Sequence, residues 1–209
     1  MNVYETDDEK VEALKKWWKD NGLSVAAGIG IGLAAVFGWR GWVGYQDAVG
    51  QQASAAFEQL LAAADSGNTE SALKQSELVT SDFGSTAYAT LAALVRARVE
   101  LEAGNVPGAR AALEEAIAKA PDPGLARIAA LRLARIEFGA GDLVAAKALL
   151  DEHDKDGSFA GDFAALRGDI AAAEGRMDEA REAYEQALAA GAADPELLEL
   201  KIDNLPPAG

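Results

Sequence analysis

Cysteine is absent from the 209 residues, so no disulfide can form and no thiolate is available as nucleophile or metal ligand. Histidine is nearly absent too: His153 stands alone in a charged stretch, and a zinc site would have to be built from carboxylates. No G-x-S-x-G, P-loop or H-E-x-x-H run occurs. The Asp-Lys-Asp around Lys155 lacks the twelve-residue pattern of oxygen donors that a calcium loop needs. No active site, metal or cofactor is therefore expected. Basic residues are scarce, 19 against 34 acidic ones, and the net charge of -15 opposes a phosphate backbone, so nucleic acid is excluded as a partner. Aromatics make up only 7% of the chain. Much of its apolar share is alanine, which loses no side-chain entropy in a helix and favours closely packed helices over a sandwich or barrel.

What the sequence does contain begins with one long uncharged run. From Asn21 to Trp39 there are nineteen residues without a charge, bounded by Asp20 and Arg40. As a helix, this run matches a hydrocarbon core of roughly 30 Å. Its glycines would weaken a helix in water, but in lipid the backbone must close its own hydrogen bonds and glycine is better tolerated. All four tryptophans flank it, Trp17 and Trp18 before and Trp39 and Trp42 after, with Tyr45 beside the second pair. Amphipathic rings favour the two headgroup layers. A cleaved signal peptide fits less well, because the leader is long and of mixed charge and the apolar run exceeds a typical signal core.

Lys10, Lys15, Lys16 and Lys19 precede the span, whereas Arg40 is the only basic residue between Trp39 and Lys74. The positive-inside bias places the N-terminus in the cytoplasm and the long C-terminal part across the membrane. Within the span, Gly28 and Gly32 form a G-x-x-x-G pair that would let another membrane helix approach closely. Small residues are also common in membrane helices generally, so both readings stand.

Beyond the span the chain repeats itself. An apolar helix, a glycine, four residues, an alanine and a second helix recur as Gly67…Ala72, Gly104…Ala109, Gly141…Ala146 and Gly175…Ala180, with the glycines 37, 37 and 34 residues apart. That period is the tetratricopeptide one, two antiparallel helices per unit. Glycine allows the tight turn, and a small alanine lets the second helix cross the first closely. Leu113, Leu150 and Tyr184 follow one turn later as core fillers. Ser76 holds that place in the first repeat, making it the weakest. Pro121 fits a helix end between repeats.

The fold class that follows is all-α, a single N-terminal transmembrane helix and then a tetratricopeptide-like solenoid of αα-hairpins. The expected parts are a juxtamembrane segment 1–20, the anchor and its flank 21–45, the repeat domain 46–205 and a tail 206–209. Helices are expected at 4–20, 22–64 (bent near Gly41–Gly44), 70–81, 86–103, 107–119, 124–140, 144–152, 159–174, 178–190 and 194–203. A polar turn, His153–Gly157, should join the third repeat to the fourth. Solenoids of this kind line a concave face with the first helix of each repeat. The repeat register aligns Leu94 with Leu131, Arg98 with Arg135 and Leu101 with Phe138, and places Asp169 where the arginines stand. Paired arginines beside apolar groups suit a polypeptide ligand; the same residues could equally solvate the face and fill the interior.

The whole chain resembles the YfgM-like ancillary subunit family of the SecYEG translocon. The resemblance rests on Tyr4, Val11-Glu12, Lys15, Trp17-Trp18 and Asn21-Gly22, and on Gly38-Trp39-Arg40 and Trp42 after the span. It continues in Leu131-Arg132-Leu133-Ala134-Arg135, Leu166-Arg167-Gly168-Asp169 and Lys201-Ile202-Asp203-Asn204-Leu205. The Pro206-Pro207-Ala208-Gly209 tail and the richer alanine and glycine content depart from the family. The resemblance implies a bacterial inner-membrane protein with a periplasmic repeat domain. It further implies association with SecYEG and a PpiD-like membrane-anchored chaperone, and assistance to secreted clients leaving the channel. It carries no catalytic residues across.

Overall fold

The alanine-rich runs fold as helices throughout the described residues. The computed structural model describes residues 7–154, 157 and 159–207. The helix start expected at residue 4, Lys155 and Asp156 in the polar turn, and the last two tail residues lie outside them. The helices are α1 (Asp7–Asp65), α2 (Thr69–Asp82), α3 (Ala87–Glu102), α4 (Val106–Lys119), α5 (Pro123–Gly139), α6 (Leu143–His153), α7 (Ala160–Ala173), α8 (Met177–Ala189) and α9 (Pro195–Asp203). Most match the expected spans to within one or two residues.

Two expectations need correcting. The separate helices 4–20 and 22–64 are one, because α1 runs unbroken through Asp20, Asn21 and the Gly41–Gly44 segment. Asn21 does not cap a new helix; its side-chain amide instead donates to the Trp17 carbonyl at 3.0 Å, one turn back in the same helix. His153, expected in the polar turn, is the last residue of α6, and Asp154 takes the cap.

The chain divides into two compact units, Met1–Gly50 and Gln51–Gly209. The described part of the first is helical, with its apolar side chains turned outward. Ile31 is 72% exposed and Phe37 68%, and Leu33 and Val36 are also exposed. A helix with large apolar side chains exposed along it suits a lipid medium, since in water each of those side chains would forgo roughly 1.5–3 kcal/mol of burial. It is long and apolar enough to cross a membrane.

The second unit is a succession of small cores. Leu60, Ala72, Val79 and Val99 unite the end of α1 with α2 and α3. Ala97, Leu113 and Leu133 unite α3, α4 and α5. Leu131, Leu150, Phe163 and Ile170 join α5, α6 and α7, and Ala171, Tyr184 and Leu198 join α7, α8 and α9. Helices α3, α5 and α7 thus each feed two consecutive cores, which is how a solenoid builds a continuous interior from units too small to fold alone.

The turns explain the period. Gly67, Gly104, Gly141 and Gly175 all have φ between +71° and +83°, the left-handed region where a side chain is strained. The residue after each of the first three caps the next helix: Asn68, Asn105 and Asp142 accept from the amides of Ser71, Gly108 and Ala145 at 3.1, 3.2 and 2.9 Å. Arg176 stands at the fourth such place, and α8 has no side-chain cap. The first repeat is as well formed as the others. Ser76 is fully buried, like Leu113 and Leu150, and its hydroxyl donates to the Leu73 carbonyl at 2.9 Å.

Candidate partner-binding surface

The first helix of each repeat, from the end of α1 through α3, α5 and α7, contributes to a string of hollows on the second unit. One is lined by Phe57, Leu61, Leu91, Arg98 and Ile128. The next is lined by Ala97, Arg98, Leu101, Arg135 and Ile136. Leu94, Arg98 and Arg132 line both. A third, between α7 and α9, is bordered by Arg135, Asp169 and Lys201.

The seven side chains expected on this face are placed unequally. Leu94 is buried in the α3–α5 core, and one side of it floors the first two hollows. Leu101 is exposed and lines the second hollow. Leu131 points into the α5–α7 core, and Phe138 packs against that same core half-buried. Arg98 pairs with Asp65 at 3.2 Å and with Glu102 at 3.9 Å. Arg135 pairs with Asp162 at 3.0 Å. About half of each arginine side chain stays exposed, so these pairs contribute little stability and leave the guanidiniums accessible. Asp169 is engaged within the fold: it accepts from the Tyr184 hydroxyl at 2.8 Å and from Lys201 Nζ at 2.6 Å. Burial, reinforced by the Asp169 carboxylate, pushes the Tyr184 phenol well above its ordinary value.

Arg132 was absent from the expected set. The repeat register matches it with Val95, an apolar residue, so periodicity gave no sign of it. Its sequence signals are its place in the Leu131–Arg135 run that carries the family resemblance and Arg135 three residues on, on the same side of a helix. Burial, followed by repulsion from Arg135 and Arg98, holds its guanidinium below the ordinary arginine value.

In the first unit, Gly28 and Gly32 lie on α1, and a Cβ built at either would meet nothing within 4 Å. No neighbour among the described residues requires glycine at these two places. Among the described residues, no group of three or more His, Asp or Glu side chains could hold a metal ion.

Comparison with known proteins agrees with this architecture. A family model described as a tetratricopeptide repeat-like domain matches residues 15–207. The ancillary SecYEG translocon subunit of Haemophilus influenzae is 31% identical over 200 residues, covering 95% of this chain and 97% of that one. The subunit of the same name from Aggregatibacter actinomycetemcomitans gives the same identity and coverage. That of Escherichia coli is 30% identical over 122 residues, an alignment spanning 58% of each chain. No solved structure matches. A spanning helix running into tetratricopeptide-like hairpins, with relatives aligned over almost the whole length, identifies the chain as a member of the YfgM-like ancillary SecYEG translocon subunit family, a membrane-anchored accessory protein.

Proposed function

We propose that this protein is an accessory and scaffold subunit of the SecYEG translocon that, with a PpiD-like periplasmic chaperone, assists polypeptides emerging from the channel. The observation that carries the reading is the alignment with ancillary translocon subunits through both the anchor and the repeats. A repeat domain alone would fit an adaptor for many complexes. The anchor holds the protein in the membrane of its partner, and the repeats supply the extended surface on which solenoids bind polypeptides.

The N-terminus lies in the cytoplasm and the repeat domain in the periplasm, a topology supported by the four lysines before the span and by Arg40 as the only basic residue between Trp39 and Lys74. Gly28 and Gly32 contact a membrane helix of the channel or chaperone, and Leu94, Arg98, Leu101, Arg135 and Asp169 line the periplasmic face, with Leu131 and Phe138 packed in the core behind it. For the glycines, the support is that nothing in the chain itself fills the space beside them. The role is one of binding and needs no cofactor.

Affinity purification of the full chain in mild detergent, followed by mass spectrometry, tests the reading. Recovery of channel subunits together with a membrane-anchored periplasmic chaperone is expected. Reproducible recovery of a different envelope complex without the channel would make the protein a general tetratricopeptide adaptor instead.

A further inference from the structure

Three guanidiniums, Arg98 on α3 and Arg132 and Arg135 on α5, face one side of a protein whose net charge is -15. Their carboxylate partners are unequally shared. Arg98 is held by Asp65 at the end of α1 and by Glu102 on α3, which line the first and second hollows, and Arg135 is held by Asp162 on α7. Arg132, between them, pairs with no carboxylate among the described residues. It stands where the two apolar hollows meet, with Leu91 and Ile128 on one side and Leu101 and Ile136 on the other.

Resting on the reading of the repeat domain as a polypeptide-binding scaffold, we propose that this face takes a segment of a partner protein carrying an aspartate or glutamate flanked by apolar side chains, with Arg132 receiving the carboxylate. The two hollows accept the flanking apolar groups, and their separation by Arg132 dictates an apolar–acidic–apolar order. Charge complementarity selects the acidic residue, because an incoming carboxylate relieves the repulsion among the three guanidiniums and can be held by a forked donor pair. A lysine at the same place would meet the one guanidinium of the three that has no carboxylate partner among the described residues, and would be disfavoured.

The test uses the full chain in nanodiscs of zwitterionic lipid and a short fluorescent peptide, with leucines flanking a central glutamate. Two controls carry glutamine or lysine at that centre. Anisotropy should show the glutamate peptide binding about tenfold tighter than the glutamine one, the scale of one charge-assisted hydrogen bond. The lysine peptide should bind weakest. In Arg132→Gln the glutamate peptide should lose far more affinity than the glutamine peptide, so that the preference disappears, and Arg132→Lys should retain part of it. Circular dichroism verifies that both variants keep their helices. Equal affinity for the glutamate and glutamine peptides, equal weakening of both by Arg132→Gln, or no binding of any peptide would overturn the inference. Recovery of the channel by the native chain is a separate readout. If it persists although the native chain shows no glutamate preference, the accessory role stands and only the peptide inference is lost.

Discussion

The ring of Tyr184 on α8 lies over Gly168 on α7 so closely that a Cβ at position 168 would sit 2.4 Å from its Cε1 atom. The ring has no room to withdraw, being buried and tied through its hydroxyl to Asp169. Gly168→Ala should therefore destabilise the repeat domain by roughly 1–3 kcal/mol, as overpacking does. Thermal unfolding followed by circular dichroism would measure it, and an unchanged midpoint would mean that the α7–α8 crossing yields more easily than its contacts indicate.

Tyr184→Phe removes the hydrogen bond and leaves Asp169 paired with Lys201. At neutral pH the expected loss is about 0.5–1.5 kcal/mol. The phenol's folded-state pKa lies above its ordinary 10.0. The unfolded chain therefore releases that proton first, and the stabilisation from Tyr184 is complete below about pH 10 and declines above it. The advantage of the native protein over Tyr184→Phe should accordingly shrink in unfolding curves taken above that pH. A constant difference across the range would contradict the sign.

The glycine ridge can be tested apart from folding. Gly28→Leu combined with Gly32→Leu should leave membrane insertion and the repeat domain intact, because each new side chain enters open space. Co-purification of the membrane partner at matched expression should fall if a neighbouring helix needs the smooth surface. Undiminished recovery would return both glycines to the ordinary composition of membrane helices.

The arginine face has its own test. Arg98→Glu with Arg135→Glu breaks three partly exposed ion pairs, so the fold should survive. Capture of the periplasmic chaperone should drop while channel recovery through the anchor persists. Equal capture by the variant and the native chain would assign these arginines to solvation alone.

Topology is open to a direct assay. Protease added to spheroplasts should digest the domain beyond about Tyr45 and leave a short protected fragment carrying the N-terminus. Protection of the domain until lysis would place it in the cytoplasm.

Much of this protein is decided by local chemistry, and so was legible in the sequence. A turn glycine with positive φ acts over a few residues, so its recurrence at 37, 37 and 34 marks the hairpins before any packing is known. The span is equally local, since nineteen uncharged residues and their tryptophan borders specify a medium rather than a neighbour. Which helical residue faces outward is another matter. Leu94 and Leu131 share a register position, yet only Leu94 lines the hollows, because each helix meets different neighbours on its two sides. Asp169, expected on the open face, is engaged by Tyr184 and Lys201 from positions 15 and 32 residues away. Arg132 stands out only once α1 and α7 have drawn the acidic partners of Arg98 and Arg135 to opposite sides. The pairing of side chains between helices depends on how successive hairpins stack, and that is set by the tertiary structure because no periodicity within one helix encodes the chemistry of the next.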